Sequence, residues 1–408
     1  MGELMTTTGY RVLHDLLENS HNVAPTDIPD LVKRLAAEIG FRDVTIYVAD
    51  LEQSELVSLP RGAGGAAITR PIENSQAGLC YRTTSLRTAE ADTGGLVLWL
   101  PLLDGIERIG VIELHTEALS APALAFARSM TSLVTMIVLS KYMHSDTITS
   151  LQRRRPMELS AEMLWAFLPP RSMRTDRATV TAVLEPAYDV GGDAFDHSMI
   201  QGTLHASILD AMGHDLASGL VASVALAGCR NARRSGHGLA DLVDTVDTHL
   251  AETFPGRFCT AVFCHLDTIG GLLSWVNCGH PAPLLLRGKR LLDGSLDREP
   301  ELPLGLGAAN PLVPRTVHRC QLEPGDRVLL YTDGVVEART GNGDQFGLDN
   351  FVDFILRATA AREPVYEALR RLMKNILGDV ESRLRDDATI VAVEWHPDGP
   401  EPVPETVI

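Results

Sequence analysis

The sequence predicts an α+β protein in two folded parts, the larger one a layered sandwich of antiparallel sheets covered by helices. Three observations carry this expectation. Strand-like runs follow one another through short turns, which joins neighbours antiparallel. Helical runs come in pairs, at 216–234 with 239–254 and at 348–359 with 364–377. The 408 residues exceed what one hydrophobic core usually organises.

In the first part, residues 1–9 read as a loose tail and 10–18 as a helix spaced by Val12, Leu13, Leu16 and Leu17. Asp27 or Asp30 is placed to cap a second helix. Its apolar face is Leu31, Val32, Leu35, Ala36 and Ile39, with Gly40 past its end. The β-branched run 44–48 is a strand, and a Gly-Ala loop covers 62–67. Strands at 96–101 and 109–115 meet at the turn Asp104-Gly105, and 121–139 returns to helix. Helices around a central sheet make residues 10–140 one α+β domain.

Composition bounds the function. A content of 45% hydrophobic and 22% charged residues is that of a soluble globular protein. The net charge of −17 argues against nucleic-acid phosphate or an anionic membrane as the main partner. The six cysteines are scattered, which fits neither a zinc ribbon nor a disulfide framework and suits a reducing compartment. The greasiest stretch, 133–139, is too short to span a bilayer, and the first residues lack the apolar core of a signal peptide. A soluble cytoplasmic protein is expected.

Residues 141–170 read as a helical connector. Ile148 and Leu151 continue a helix, Arg153, Arg154 and Arg155 form a solvated face, and Pro156 breaks the run. A second short helix carries Leu159, Met163, Leu164, Phe167 and Leu168, as domain packing or as a dimer-forming signalling helix. The second domain occupies 171–397. Its expected strands are 179–184, 204–209, 260–266, 273–277, 283–286, 327–331 and 388–395. The Pro-rich acidic end, 398–408, reads as a disordered tail.

Four distant segments of this domain each set an aspartate beside a strand: Asp193, Asp210, Asp333 and Asp386. Each alone is an ordinary turn residue; the combination is what points to a site. Four oxygen ligands without His or Cys select Mg²⁺ or Mn²⁺ over Zn²⁺. Carboxylates gathered without a cation repel, so two ions sharing them are expected. Two such ions about 3.5–4 Å apart hold a water, lower its pKa and aim it at phosphorus. This predicts a phosphate-ester hydrolase without a covalent protein nucleophile, and the sequence has no P-loop, GxSxG or CxxxxxR loop.

Six ordered motifs now resemble a known family. VGGDAFD (190–196), DAMGH (210–214), NCGHPAPLLL (277–286), LPLGL (302–306), GDRVLLYTDGVVEAR (325–339) and DDATIVAV (386–393) are similar to those of PPM-type (protein phosphatase 2C-like) Ser/Thr phosphatases. They are most similar to the SpoIIE/RsbU-like branch. The resemblance implies an α-β-β-α sandwich with two Mn²⁺ or Mg²⁺ ions between its sheets. Carried over by position, Asp193 and Asp210 bridge the metals, the Ala211 carbonyl completes one site, and Asp333 and Asp386 hold the ions from the far side. Asp387 and Asp196 match motif acids whose roles stay open. Asp215 departs from the branch pattern and reads as a helix cap, with metal tuning or repulsion of a phosphoprotein as the alternatives. His214 is either a general acid or a loop-ordering residue, His280 braces a turn or acts as an acid, and Glu337 braces the segment after Asp333.

In the first part, GLCYRTTS (78–85), LPL (100–102) and GIERIGVIELH (105–115) look like a GAF domain. That likeness implies a mixed sheet, a small-molecule pocket and a homodimer. Cys80 reads as a small buried residue, with a chromophore or redox anchor as the alternative. Together the resemblances imply a metal-dependent phosphatase regulated by its GAF domain. Its substrate would be a phosphorylated STAS-type anti-anti-sigma factor, in sigma-factor and stress-response signalling. The alternative is an inactive pseudo-phosphatase acting as a signalling scaffold or ligand sensor. A metal nuclease fits the ions but not the acidic charge.

Overall fold

The computed structural model describes residues 2–62, 64–92, 94–307, 315–339, 344–377 and 386–399. The chain divides into two compact units, one within residues 2–155 and the other within residues 156–399.

The first unit runs α1 (Gly2–Ser20), a 3₁₀ turn (Pro25–Asp27), α2 (Ile28–Ala37), β1 (Phe41–Ala49), β2 (Glu55–Ser58), β3 (Thr69–Pro71), α3 (Gln76–Thr83), β4 (Arg87–Glu90), β5 (Leu96–Asp104), β6 (Glu107–Thr116), α4 (Ala121–Tyr142) and α5 (Asp146–Gln152). Its sheet has the order β3-β2-β1-β6-β5-β4. Every pairing is antiparallel, where a mixed sheet was expected. Alternation sorts the strands' side chains. Val44, Ile46, Ile112 and Leu114 pack with Val12, Leu16, Val32 and Val134 of the helices. Tyr47, Leu56 and Val111 face the other way, onto Cys80 and Tyr81 of α3. Cys80 is fully buried, and burial pushes its thiol far up, as suits a packing residue rather than a reactive one.

Several expectations change here. Residues 2–9, read as a tail, continue α1 back to Gly2; nothing in their polar sequence signals a helix, which the following turns extend. Asp27 precedes α2 without a side-chain cap bond, because the 3₁₀ turn already leads the chain in. By length and composition α4 is long and apolar enough to cross a membrane, yet Val134, Ile137 and Val138 bury one of its faces in the core. The arginine triplet stays partly exposed and also carries ion pairs: Arg154 pairs with Glu55, and Arg155 lies 3.7 Å from Glu52. The segment expected as one connector is divided, since α5 packs on α4 and β1 of the first unit.

The second unit contains α6 (Leu159–Phe167), β7 (Ser172–Arg174), β8 (Ala178–Glu185), β9 (Asp193–Ile200), β10 (Thr203–Ala211), α7 (Leu216–Arg234), α8 (Leu239–Thr253), β11 (Cys259–Asp267), β12 (Leu272–Cys278), β13 (Leu284–Arg287), β14 (Arg290–Leu291), β15 (His318–Gln321), β16 (Arg327–Tyr331), α9 (Asp333–Glu337), α10 (Gly347–Ala360), α11 (Val365–Leu377) and β17 (Ala388–Trp395). Two antiparallel sheets, β15-β12-β11-β10-β9 and β14-β13-β16-β17-β8-β7, lie face to face. On the central strands β16 and β17 both faces are apolar, as a doubly covered sheet requires, while β8 is apolar chiefly on the face turned to the other sheet. Val180, Leu330, Val391 and Val393 fill the layer between the sheets. Val183, Leu329, Ile390 and Ala392 meet Phe351, Ile355, Leu369 and Leu372 of α10 and α11. Helices α7 and α8, with α6 packed on α7, cover the outer face of the first sheet. The layers are therefore α-β-β-α. The acidic tail beyond residue 399 lies outside the described residues.

Candidate metal centre

The site forms at the seam between the two sheets. Asp193 opens β9 and Asp210 is the second-last residue of β10; the register sets them directly opposite each other. Asp210 thus lies inside its strand rather than past its end, also paired with Thr260 of β11. Asp193 is buried and points into the opposite sheet, where its Oδ2 accepts from Thr332 Oγ1 at 2.8 Å and Thr389 Oγ1 at 2.7 Å. Thr332 follows β16 and Thr389 lies in β17, so one carboxylate oxygen ties the two sheets together. Asp333 does not merely terminate β16: it starts the short helix α9. Asp386 stands exposed just before β17.

Asp387 is the anchor of the site. Its Oδ2 accepts three backbone N–H bonds, from Gly191 and Gly192 at 2.8 Å and from Asp193 at 3.1 Å. Successive amides turned onto one carboxylate form an anion nest, and this one fixes where β9 begins. Two glycines make the close approach possible. A Cβ on Gly192 would sit 2.4 Å from the Ala211 carbonyl oxygen, and one on Gly334 would sit 1.9 Å from that of Asp387. No side chain fits at either position.

The carboxylates act on one another. Burial pushes Asp193 well above the ordinary carboxylate value, Asp210 and Asp387 add to this, and the two threonine hydroxyls oppose it. Burial raises Asp210 to about 7, reinforced by Asp333, Asp386 and Asp387. Asp333 is raised by burial and then by Glu337 and Asp386. Burial raises Asp387 to about 6 against the three N–H donors. Among the described residues no Lys or Arg pairs with Asp193, Asp210 or Asp333 to relieve this repulsion.

Among the described residues no three His, Cys, Asp or Glu side chains close into a finished cage. The arrangement is an open ring of acids from both sheets, with Asp193 at its floor and Asp333 and Asp386 exposed at its mouth. All its donors are hard oxygens, and its charge is uncompensated. That chemistry fits divalent cations such as Mg²⁺ or Mn²⁺ and gives Zn²⁺ no soft ligand.

The other residues singled out by the sequence fall elsewhere. Asp196, three residues after Asp193, points to the opposite face of β9. There its Oδ1 takes Arg230 Nε and Nη2 at 3.0 and 2.7 Å, and its Oδ2 takes Arg233 Nη1 at 2.6 Å, both from α7. Asp215 caps α7 in a reciprocal box with Ser218 and pairs with Arg257. His214 is exposed beside the Gly191 turn. His280 is buried, its Nδ1 2.8 Å from Thr260 Oγ1 and its Nε2 3.0 Å from the Tyr331 carbonyl, and so braces one sheet against the other. Glu337 is exposed and adds to the field on Asp333. Sequence reasoning missed the roles of Thr332 and Thr389. Their signal was present as a hydroxyl within each acidic motif, TDG and DDAT.

This fold and this acidic seam lie mostly within the stretch of the chain that a family model matches. Residues 200–396 match the family described as stage II sporulation protein E (SpoIIE), so the domain is of the SpoIIE type. Asp193 lies just outside the matched stretch and joins it through the β9–β10 pairing. The chain is 23% identical over 137 residues to protein IcfG of Synechocystis sp., covering 33% of this chain and 20% of that protein. In structure it is similar to the RsbU and RsbW domains of a Mycobacterium tuberculosis protein, at 25% identity and TM-score 0.47, covering 56% of this chain and 63% of that one. It is also similar to the SiaA PP2C domain of Pseudomonas aeruginosa, at 19% identity and TM-score 0.45, covering 53% of this chain and 85% of that domain. The chain thus matches about a fifth of the curated cyanobacterial relative's length.

Proposed function

We propose that this chain is a metal-dependent protein phosphatase that hydrolyses a phosphoserine or phosphothreonine monoester on a partner protein. The observation that carries the reading is the direct pairing of Asp193 with Asp210 at a seam that also gathers Asp333 and Asp386, within a SpoIIE-type domain. Two Mn²⁺ or Mg²⁺ ions, held by Asp193, Asp210, the Ala211 carbonyl, Asp333 and Asp386, would supply Lewis acidity and an acidified water there. The chain's own work is positional. Asp387 fixes the Gly191–Asp193 turn, Thr332 and Thr389 fix the Asp193 carboxylate, and His280 holds the sheets in register.

The SpoIIE/RsbU-like motifs support a phosphorylated STAS-type anti-anti-sigma protein as substrate, and the GAF-like motifs support a homodimeric sensor in the first unit that controls turnover. The test is p-nitrophenyl phosphate hydrolysis with Mn²⁺, with Mg²⁺ and with EDTA, followed by a phosphorylated STAS protein. Hydrolysis that depends on the divalent ion is expected. Its absence under every condition and toward both substrates would leave a scaffold as the better reading. Matching rates for the fragment 171–408 and the full chain would exclude control by the first unit.

A further inference from the structure

The entry to β11 is flanked by two loops. On one side Cys259 pairs with Ala211, and Met212 N–H donates to the Phe258 carbonyl at 3.1 Å. On the other side Cys259 and Leu304 exchange backbone bonds of 3.0 and 2.9 Å. The first loop with the start of α7, and the second loop, present large apolar side chains to solvent. Met212, Leu216 and Leu220 follow at four-residue spacing into α7, and Leu302 and Leu306 flank Leu304; all five are between 37% and 53% exposed. Apolar groups collected on two loops beside an active site mark an interaction surface rather than scattered surface leucines.

Arg257 lies between these two groups. Its Nη1 and Nη2 donate to Asp215 Oδ1 and Oδ2 at 3.1 and 2.9 Å, and Nη1 reaches the Met212 carbonyl at 3.4 Å. This two-pronged grip on a carboxylate is the one with which arginine takes a phosphate. The pair is solvent-exposed, so it adds little to stability and exchanges readily. Asp215 keeps a separate task, accepting from Ser218 N–H at 2.9 Å. We propose that this rim docks the phosphorylated segment of the protein substrate: apolar residues on either side of the phosphoresidue seat on the two leucine-bearing loops, and the phosphate displaces Asp215 from Arg257. The proposal rests on the phosphatase reading for its substrate class. A partner with apolar flanks is favoured because the rest of this acidic surface repels acidic ones.

The test is fluorescence anisotropy of the full chain with labelled peptides carrying a non-hydrolysable phosphonate analogue of phosphoserine. One peptide has leucines two residues before and after the phosphonate; the other has glutamates there. The wild-type chain is expected to bind the leucine peptide at least tenfold more tightly. The double variant Leu216→Ser with Leu220→Ser removes that preference, and Arg257→Ala weakens both peptides about tenfold. Asp215→Asn keeps the helix cap but frees Arg257, and tightens both about threefold. Equal binding of the two peptides by the wild type, or none, overturns the proposal. So does weakening by Asp215→Asn, or light scattering that shows the serine variant dissociating a dimer, which makes the rim a self-interface. Turnover of p-nitrophenyl phosphate is read separately, so an inactive protein that still prefers the leucine peptide refutes the catalytic reading and not the docking surface.

Discussion

His280 makes the stability of the second unit depend on pH in a way that can be worked out. The ring is 4% exposed and spans from Thr260 on β11 to the Tyr331 carbonyl on β16. The carbonyl can only accept, so Nε2 carries the proton and Nδ1 accepts from the threonine hydroxyl. Burial disfavours a charge there and lowers the folded pKa to about 4, against the ordinary 6.5. The neutral ring's contribution is fully present above about pH 6.5 and is lost as pH falls toward the folded value, because the unfolded chain takes up the proton first. The slope is about 1.4 kcal/mol per pH unit, so about 3 kcal/mol is lost between pH 6.5 and 4. The perturbation is His280→Asn, which removes the titrating group. Its cost at pH 7.5 is about 2–4 kcal/mol from two lost hydrogen bonds and the space left behind. Urea unfolding followed by Trp fluorescence measures both proteins, since Trp165, Trp275 and Trp395 report on the second unit and Trp99 alone on the first. The stability gap between wild type and variant should narrow by about 2–3 kcal/mol from pH 6.5 to 4.5. Because His197, His205 and His265, also lowered by burial, are common to both proteins, they cancel. A gap that stays constant across this range refutes the argument.

Other perturbations separate chemistry from architecture. Asp210→Asn and Asp333→Asn should each lower metal-dependent turnover at least a hundredfold, about 3 kcal/mol in the barrier, while thermal melts show no loss of stability because a repulsive charge has gone. Asp387→Ala strands three buried N–H groups and should cost about 3–6 kcal/mol in urea unfolding; Asp387→Asn, which keeps an acceptor, should recover more than half. Asp196→Ala leaves Arg233 buried and unpaired and should cost about 3–5 kcal/mol, yet change the metal dependence of turnover less than twofold. Gly334→Ala forces a Cβ onto the Asp387 carbonyl and should abolish measurable activity, with the weakened metal affinity read by calorimetry.

Most of the second unit's architecture was legible because its strands and helices keep clean periods. The runs at 327–331 and 388–395 are apolar on both faces, and the helix 216–234 is bounded by Asp215 and the arginines at its end. What stayed hidden has physical reasons. Strand β9 reads DAFDHSMI, and its two acids and histidine mask it as a loop, although each finds a partner once the sheet forms. The edge strands β3, β4, β7 and β14 are short and polar because edges are paired on one side only. Within the site, strand-end aspartates were visible as a pattern. Their division of labour was not, because it depends on which face each side chain takes.

Asp386 and Asp387 show why that division follows from backbone geometry rather than residue type. The two are adjacent and identical, so composition cannot tell them apart. Just before β17, however, neighbouring residues point to opposite sides. Asp387 turns inward, is 5% exposed and is consumed by the Gly191–Asp193 amides; Asp386 turns outward to the mouth of the site, its Oδ1 accepting the Asp387 N–H at 2.9 Å. Asp193 and Asp196 repeat the division on β9, one facing the seam and the other locked under α7 by two arginines. In each pair one acid is spent on holding backbone or helix in place, and the other is left with charge that the chain does not neutralise. An acid neutralised by the protein is a poor ligand for a cation. The residues able to bind metal are therefore those whose charge no described Lys or Arg neutralises, even where hydroxyls hold them in place as they hold Asp193, and their neighbours are what keep them there.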